Sequence, residues 1–375
     1  MPPDKPHWTH LFREVVTSGL CTGCSACVVA CPYDVLGYDD KGSYKPFHVE
    51  QTGGADGCTH GDRGCTLCTR ACPRFREWEP EIDQHLFGRP RTDEEVAGVA
   101  ARVVLARATD PELHEAGQDG GLVSAILVWA LEHDVIDAAL VSALEGDGTT
   151  WKAVPAVVRD RAGVLSTAGS RYTYSANPLA YADAVEGGSE RIALVGMGCQ
   201  ASAPAVMAAR RAGKVARRFA LSIGLMCSKT FDDAIFPELF EARYGLRREE
   251  IAKMNIKGVF QVWMRDGAYH EIPLKEAHGW TREGCMSCPD FAAEHADIST
   301  GGIGAFNDWT LTVVRTERGR ELFDAMEAAG AIEVRPGEDD PGAIALMNRL
   351  SRVSRKRWPA TAVPMPGRLP AAQPA

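Results

Sequence analysis

The chain has little of what would favour nucleic acid or a membrane as its partner. Its 375 residues include 41 lysines and arginines but 50 aspartates and glutamates, which gives a net charge of −9. Because no basic surplus is left to neutralise phosphates, we expect no nucleic-acid partner. The longest apolar run, residues 122–131, is much shorter than the roughly 20 residues that span a bilayer. We therefore expect no membrane span.

A secretory signal is also missing from the start of the sequence. The first ten residues, MPPDKPHWTH, lack the charged-then-apolar layout of a signal peptide. We therefore expect a cytoplasmic protein in a reducing compartment. There the twelve cysteines favour metal or redox chemistry over a disulfide framework.

Eight of the cysteines form two runs near the N-terminus. The first run is C-x2-C-x2-C-x3-C-P, the spacing of bacterial ferredoxins, and the second repeats its ending after a longer first loop. In two-cluster ferredoxins the fourth cysteine of each run ligates the other 4Fe–4S cluster. We therefore define a first ferredoxin set, Cys21, Cys24, Cys27 and Cys72, and a second ferredoxin set, Cys31, Cys58, Cys65 and Cys68. Structural zinc is the alternative, but a closed zinc site does not need two C-x3-C-P endings.

The remaining four cysteines, which we name the core set, are scattered: Cys199, Cys227, Cys285 and Cys288. Two of them form a C-x2-C unit, and the other two follow apparent β-strands, whose ends commonly build sites in α/β domains. The residues themselves leave three interpretations open: a third 4Fe–4S cluster, a zinc site, or buried cysteines that act as small hydrophobes.

The rest of the chain predicts a second, larger domain. Strand-like and helix-like segments alternate from residue 101 onward, which indicates an α/β domain with a mixed sheet. Residues 38–44 and 259–272 each predict a hairpin. We therefore predict an α+β or α/β protein with a ferredoxin-like domain at 1–80, a linker with a short helix at 81–100, an α/β domain at 101–357 and a disordered Pro/Ala-rich tail at 358–375.

Two glycine-rich segments are candidates for binding a second cofactor. Gly120, Gly121 and Ser124 open a predicted helix, whose N-terminus can hold a phosphate, although an ordinary turn explains the glycines equally well. Gly301 and Gly302 lie in a second glycine-rich loop, which either admits a flat cofactor or forms a bulged strand end. The dinucleotide fingerprint G-x-G-x-x-G is absent around the first segment.

Taken together, these segments resemble the family of beta subunits of coenzyme F420 hydrogenase and dehydrogenase. That family also includes 7-hydroxymethyl chlorophyll a reductases and ferredoxin-dependent divinyl chlorophyllide 8-vinyl reductases. One departure is Gly198, where family members usually have a proline before the cysteine. The resemblance extends from about residue 20 to about residue 319 and rests on the two cysteine runs and on residues 120–124, 169–172, 195–200, 223–227, 255–258, 285–291, 296–298 and 301–302.

The resemblance implies a FAD-binding α/β core with a 4Fe–4S cluster, ligated by the core set, close to the flavin. It makes Gly120, Gly121, Ser124, Lys257 and the Gly301–Gly302 pair candidate FAD contacts. It also implies an oxidoreductase that exchanges electron pairs with a small-molecule hydride carrier, coenzyme F420. Single electrons would then pass through the clusters to ferredoxin or another redox protein, or in reverse.

Two other functions are consistent with the same cofactors. In one, reduced ferredoxin feeds a FAD-dependent reductase of an organic substrate, as in the chlorophyll-type relatives. In the other, the chain is an electron-transfer subunit of a larger complex. A basic stretch would then be either a docking face for an acidic partner or a solvated helix end; it comprises Arg349, Arg352, Arg355, Lys356 and Arg357.

Overall fold

The computed structural model describes residues 5–50, 54–76 and 78–359. Its α-helices are α1 Trp8–Leu11, α2 Ala26–Val29, α3 Thr59–Asp62, α4 Leu67–Ala71, α5 Glu79–Phe87, α6 Pro111–Ala116, α7 Leu122–Glu132, α8 Arg161–Ser166, α9 Tyr181–Glu186, α10 Gly198–Ala201, α11 Ala203–Ala209, α12 Ala242–Tyr244, α13 Glu283–Met286, α14 Glu317–Ala328 and α15 Pro341–Arg355. Among the described residues, no helix is long and apolar enough to cross a membrane.

The strands are β1 Leu36–Tyr38, β2 Pro46–His48, β3 Arg102–Ala108, β4 Ala138–Leu144, β5 Ala153–Val158, β6 Ile192–Met197, β7 Phe219–Leu225, β8 Ile251–Ile256, β9 Val259–Met264, β10 Tyr269–Pro273, β11 Ile298–Gly301, β12 Thr310–Val314 and β13 Ile332–Pro336. Short 3₁₀ and π segments join them, including a π-helical turn at Phe236–Glu241 where the sequence suggests a regular helix.

The region that contains the two cysteine runs, residues 21–73, is named the cysteine-rich region. It has the internal repeat that its sequence predicts. Helices α2 and α4 carry Cys27 and Cys68, pack against each other, and each precedes a Cys-Pro ending. Between the two cysteine runs, β1 and β2 pair antiparallel with Gly37 opposite Phe47, which confirms the predicted hairpin. Small alanines at the α2–α4 contact allow the two short helices to approach closely.

A mixed sheet of eight strands dominates the remainder of the described chain. Its strand order is β13-β3-β12-β11-β7-β6-β4-β5. Strands β4, β6, β7 and β11 are parallel neighbours, and β12, β13 and β5 pair antiparallel to theirs. Since β12 is antiparallel to both β11 and β3, strand β3 runs in the same direction as β11. The predicted mixed sheet is therefore confirmed.

Both faces of this sheet are covered. Helix α7, which is almost entirely buried, packs with α14 on one face. Helices α9 and α11 and the alanines of the cysteine-rich helices cover the other face. Burial on both faces explains why β6 and β7 read as continuous apolar runs instead of alternating. A separate three-stranded sheet, β10-β9-β8, contains the second predicted hairpin.

The segment interpreted as a linker, residues 81–100, is packed into the protein. Ile82 and Asp83 of α5 are buried, and Arg91 forms ion pairs with Glu79, Asp83 and Glu294. These contacts join the cysteine-rich region to the α/β domain through side chains that are at most 5% exposed.

The predicted tail, residues 358–375, lies outside the described residues beyond position 359. At its start Trp358 is only 2% exposed and packs in the hydrophobic cluster of the cysteine-rich region. The start of the predicted disordered tail is therefore wrong, because a buried indole fixes the chain there.

Candidate iron–sulfur centres

The carboxyl ends of parallel strands bring the scattered core cysteines together. Cys199 follows β6 in the first turn of α10, and Cys227 lies two residues after β7. Strands β6 and β7 are parallel neighbours, so both cysteines lie at one edge of the sheet. Helix α13 supplies Cys285, and Cys288 follows it closely.

All four cysteines of the core set line a single cavity. Cys199 and Cys285 are buried, and Cys227 and Cys288 are partly buried. Thr22 of the cysteine-rich region also lines this cavity. The tertiary structure thus assembles one four-thiol site from residues that are spread over ninety positions of the sequence.

A second cavity is lined by all four members of the second ferredoxin set. Tyr33 and His60 stack on each other at its rim, with ring centroids 3.7 Å apart, and Tyr33 is 49% exposed. The other residues that line this cavity are mainly apolar, such as Trp8 and Leu67. Because Tyr33 at its rim is half-exposed, this cavity lies near the protein surface.

The first ferredoxin set is the most deeply buried of the three. Burial raises the pKa of Cys27 well above its ordinary value, and the neighbouring thiols of Cys24, Cys72 and Cys21 raise it further. Burial likewise raises the pKa of Cys21 to about 11. The thiol of Cys68, a member of the second ferredoxin set, raises the pKa of Cys27 as well, so the two ferredoxin sets are close neighbours.

The chemistry of these sites fits iron–sulfur clusters. Buried thiols with raised pKa values stay neutral at pH 7, whereas bound iron stabilises the thiolate form. Within the described ranges, no group of three or more cysteine, histidine or carboxylate ligands is close enough to hold a single metal ion. A cubane is larger than one ion and takes its ligands further apart, which agrees with the cavities between the thiols.

Backbone amides point at sulfur in all three sets. Gly61 N–H donates to Cys58 Sγ at 3.4 Å, Arg74 N–H to Cys72 Sγ at 3.4 Å, and Thr230 N–H to Cys285 Sγ at 3.4 Å. Such hydrogen bonds are among the factors that set the potential of a bound cluster. Nothing in the sequence around Gly61 or Thr230 marks these donors.

The core set and the first ferredoxin set are immediate neighbours. A Cβ atom on Gly284 would lie 2.7 Å from the carbonyl oxygen of Cys21 and 3.0 Å from Thr22 Cα. Glycine is therefore required at position 284, where α13 packs on the loop that contains Cys21 and Thr22, which we name the first cysteine loop. Thr22, the residue after Cys21, also lines the core cavity.

The proline that family members usually carry before the core cysteine is replaced by Gly198, the first residue of α10. A Cβ atom at this position would lie 2.4 Å from a carboxylate oxygen of Asp290. Asp290 is buried, and burial raises its pKa. Cys199 nevertheless reaches the cavity, so the substitution leaves its sulfur among the core set.

The candidate FAD residues converge at the same edge of the sheet. Lys257 Nζ lies 2.9 Å from Asp119 and 2.8 Å from Asn307 Oδ1. Gly302 also lies against Asp119, and Gly301 packs on Met226, the residue before Cys227. Three separate segments of the sequence thus meet beside the core set.

The glycines of this region are explained by close contacts within the protein. A Cβ atom on Gly120 would lie 2.3 Å from the carbonyl oxygen of Asp308, and Gly121 packs on Leu113. Ser124 is buried one turn into α7. The ordinary-turn interpretation therefore accounts for Gly120 and Gly121, and Lys257 is the candidate with a charged, partly accessible group.

The basic stretch is not a continuous docking face or a solvated helix end. Arg355 forms ion pairs with Glu79 and Glu294, and Arg357 donates to Ser228 O at 2.6 Å beside the core cavity. Both side chains point into the protein because buried acceptors attract them. Exposed positions in this stretch are confined to Arg349, Arg352 and Lys356.

Sequence reasoning missed two arginines, Arg74 and Arg282. Both are almost completely buried, at 1% and 4% exposure, and lie between the core set and the first ferredoxin set. Arg74 follows a Cys-Pro ending and Arg282 precedes α13, but neither position carries a motif. Only the tertiary structure identifies them.

Comparison with protein-family models gives three matches along the chain. Residues 20–75 match a 4Fe-4S dicluster domain. Residues 103–181 match the N-terminal part, and residues 189–340 the C-terminal part, of the coenzyme F420 hydrogenase/dehydrogenase beta subunit. Together these models cover the cysteine-rich region and most of the α/β domain.

Individual proteins are similar over comparable lengths. The coenzyme F420 hydrogenase subunit beta of Methanothermobacter thermautotrophicus is 33% identical over 70% of this chain and 94% of its own. One of the subunits of the F(420)H(2) dehydrogenase of Methanosarcina mazei is 28% identical over 92% of both. A chain of the F420-reducing [NiFe] hydrogenase complex from Methanosarcina barkeri superposes with a TM-score of 0.67 and 29% identity, over 71% of this chain and 92% of that one.

Proposed function

Because this chain belongs to the family of coenzyme F420 hydrogenase/dehydrogenase beta subunits and carries a 4Fe–4S dicluster domain, we propose that it is an iron–sulfur flavoprotein oxidoreductase. It moves electrons between coenzyme F420 and a redox protein. FAD supplies the conversion between electron pairs and single electrons. Three 4Fe–4S clusters, held by the three cysteine sets, carry the single electrons.

The observation that carries this proposal is the arrangement of the three thiol sets in series. The core set lies at the sheet edge beside Lys257 and Gly301, and Thr22 links its cavity to the first ferredoxin set. Helices α2 and α4, which carry Cys27 and Cys68, pack against each other, which supports a second ferredoxin set next to the first. The order of sites thus leads from the sheet edge to the rim at Tyr33.

The residues of this chain position the cofactors and shield them from water; they do not transfer protons. Lys257 would hold an anionic group of FAD, and its ion pair with Asp119 keeps the ammonium aimed at the edge of the sheet. Apolar walls around the thiol sets exclude water and lower the local dielectric, which tunes cluster potentials.

The partner is proposed to be ferredoxin or the redox subunit of a larger complex. Such a partner would approach the second ferredoxin set at exposed Tyr33, which lies at the rim of that cavity. A relative matched along 92% of this chain is named as one subunit of a dehydrogenase, which supports assembly with other subunits.

Anaerobic purification followed by iron, sulfide and flavin quantitation tests the proposal. We expect about twelve irons and one FAD per chain, and bleaching of the flavin and cluster absorbance by reduced F420. About eight irons would remove the core cluster. Full cofactor content without any response to F420, together with turnover of an organic substrate by reduced ferredoxin, would replace the proposal with the ferredoxin-fed reductase.

A further inference from the structure

Two buried cations separate the core set from the first ferredoxin set. The guanidinium of Arg282 donates to Thr22 O at 2.7 Å and to Cys285 Sγ at 3.9 Å. The guanidinium of Arg74 donates to Cys288 Sγ at 3.8 Å, and its backbone N–H donates to Cys72 Sγ. Arg74 therefore contacts a thiol of each set, whereas Arg282 contacts a core thiol and the backbone of Thr22, which lies between Cys21 and Cys24.

The two arginines come from opposite sides of the boundary. Arg74 directly follows the cysteine-rich region but reaches a core cysteine, whereas Arg282 belongs to the α/β domain but reaches the first cysteine loop. Arg282 also stacks on Tyr174, 3.4 Å from the ring centroid, and Arg74 lies over Trp78 at 4.6 Å. Aromatic rings thus hold both guanidiniums in place without neutralising them.

Neither arginine has the carboxylate partner that a buried cation normally requires. Among the described residues, no carboxylate oxygen lies within ion-pair distance of either guanidinium, and the Nε of Arg74 has no hydrogen-bond acceptor. The carboxylate of Asp290 raises the pKa of Arg74 through its charge but forms no ion pair with it. By contrast, buried Arg91 and Arg355 each pair with two or more carboxylates.

A 4Fe–4S cluster held by four thiolates carries net negative charge, and reduction adds one more negative charge. Two such clusters supply the counter-charge that the buried arginines lack. We propose that Arg74 and Arg282 are positioning residues that stabilise the reduced forms of both the core cluster and the first ferredoxin cluster, which raises both potentials together. The second ferredoxin cavity has no arginine or lysine among its lining residues and lies outside this effect.

This inference rests on the proposed function only for the presence of the two clusters. It is tested on the full-length holoenzyme by redox titration with dithionite and mediators, followed by EPR, so no F420 is needed. We expect R282Q and R74Q to lower the midpoint potentials of the core and first ferredoxin clusters and to leave the second unchanged. R282K and R74K, which keep the charge, should restore most of the shift.

The matched control is R76Q. Arg76 lies two residues from Arg74, is half-exposed and pairs with Glu14 on the surface. We expect wild-type potentials for all three clusters in this variant. Unchanged potentials in both R282Q and R74Q, or equal shifts in R76Q, would overturn the proposal.

A measurement on the unmodified protein covers the case in which the glutamine variants lose their clusters. We expect the EPR signals of the core and first ferredoxin clusters to broaden each other when both are reduced, because their ligands are neighbours. EPR signals that do not broaden each other would overturn the proposal that both arginines lie between these two clusters. About eight irons per chain would refute this inference together with the core cluster, whereas failure with F420 alone would refute only the proposed function.

Discussion

Removal of Arg91 is expected to destabilise the protein strongly. Its guanidinium is 5% exposed, donates two hydrogen bonds of 2.7 Å to Asp83, and pairs with Glu79 and Glu294. Arg91→Met keeps most of the apolar volume but leaves Asp83 without its main cation. Arg355 still neutralises part of the charge on the two glutamates. Loss of one partner from a buried ion pair costs ~3–5 kcal/mol, which is our expected decrease in the free energy of unfolding.

The assay is anaerobic urea unfolding followed by tryptophan fluorescence and by cluster absorbance. Arg89→Met is the control, because Arg89 lies two residues away but forms an exposed pair with Glu95. We expect no measurable change in the control. An equal urea midpoint for Arg91→Met, Arg89→Met and wild type would refute the reasoning and would return residues 81–100 to the role of a simple linker.

The ion pair of Arg91 with Asp83 also determines whether the stability of the protein rises or falls with pH. Burial raises the pKa of Asp83, but hydrogen bonds from Arg91 and His295 outweigh burial and hold the pKa below its usual range. In wild type this carboxylate therefore adds stability above about pH 4, and the contribution is lost as the pH falls through the lowered pKa. Without Arg91 the folded pKa of Asp83 rises, because the hydrogen bonds from Arg91 no longer oppose burial. The loss of stability in Arg91→Met should therefore shrink as the pH falls and Asp83 takes up a proton. If the decrease in the free energy of unfolding of Arg91→Met does not vary with pH, the ionised carboxylate of Asp83 is not its cause.

Three further predictions concern the sites themselves. Cys285→Ser should remove about four of about twelve irons while the two ferredoxin clusters stay reducible by dithionite; undiminished iron would exclude a core cluster. Gly284→Ala, whose Cβ would lie 2.7 Å from a backbone oxygen, should perturb EPR coupling between the core and first ferredoxin clusters, whereas Gly279→Ala, with open space around it, should not. Lys257→Met should lower FAD content several-fold relative to the control Lys253→Met. Lys253 is an exposed residue of β8, the strand that Lys257 follows. Equal FAD content in the two variants would show that Lys257 is not part of the flavin site.

Patterns that are local in sequence predicted much of this protein. Three of the four proposed ligands of each ferredoxin cluster lie within a dozen residues, so the spacing alone makes them candidates before any fold is known. Apolar runs likewise predicted strands at 103–107, 191–197 and 218–226, within one residue of the observed ends of β3, β6 and β7. Strand β11 was missed, because its sequence Ile-Ser-Thr-Gly has no apolar alternation and its pairing with β7 and β12 depends on the whole sheet.

The sequence by itself determined the two-cluster domain, the mixed α/β architecture and the twelve candidate thiols, because each is encoded by spacing or periodicity along the chain. Only the tertiary structure decided that the core cysteines share one cavity, since their separation in sequence is bridged by the parallel edges of β6 and β7. It also decided the inward course of Arg355 and the location of Arg74 and Arg282 between two thiol sets. A buried cation is placed by partners distant in sequence, and no local pattern records which partners the fold brings to it.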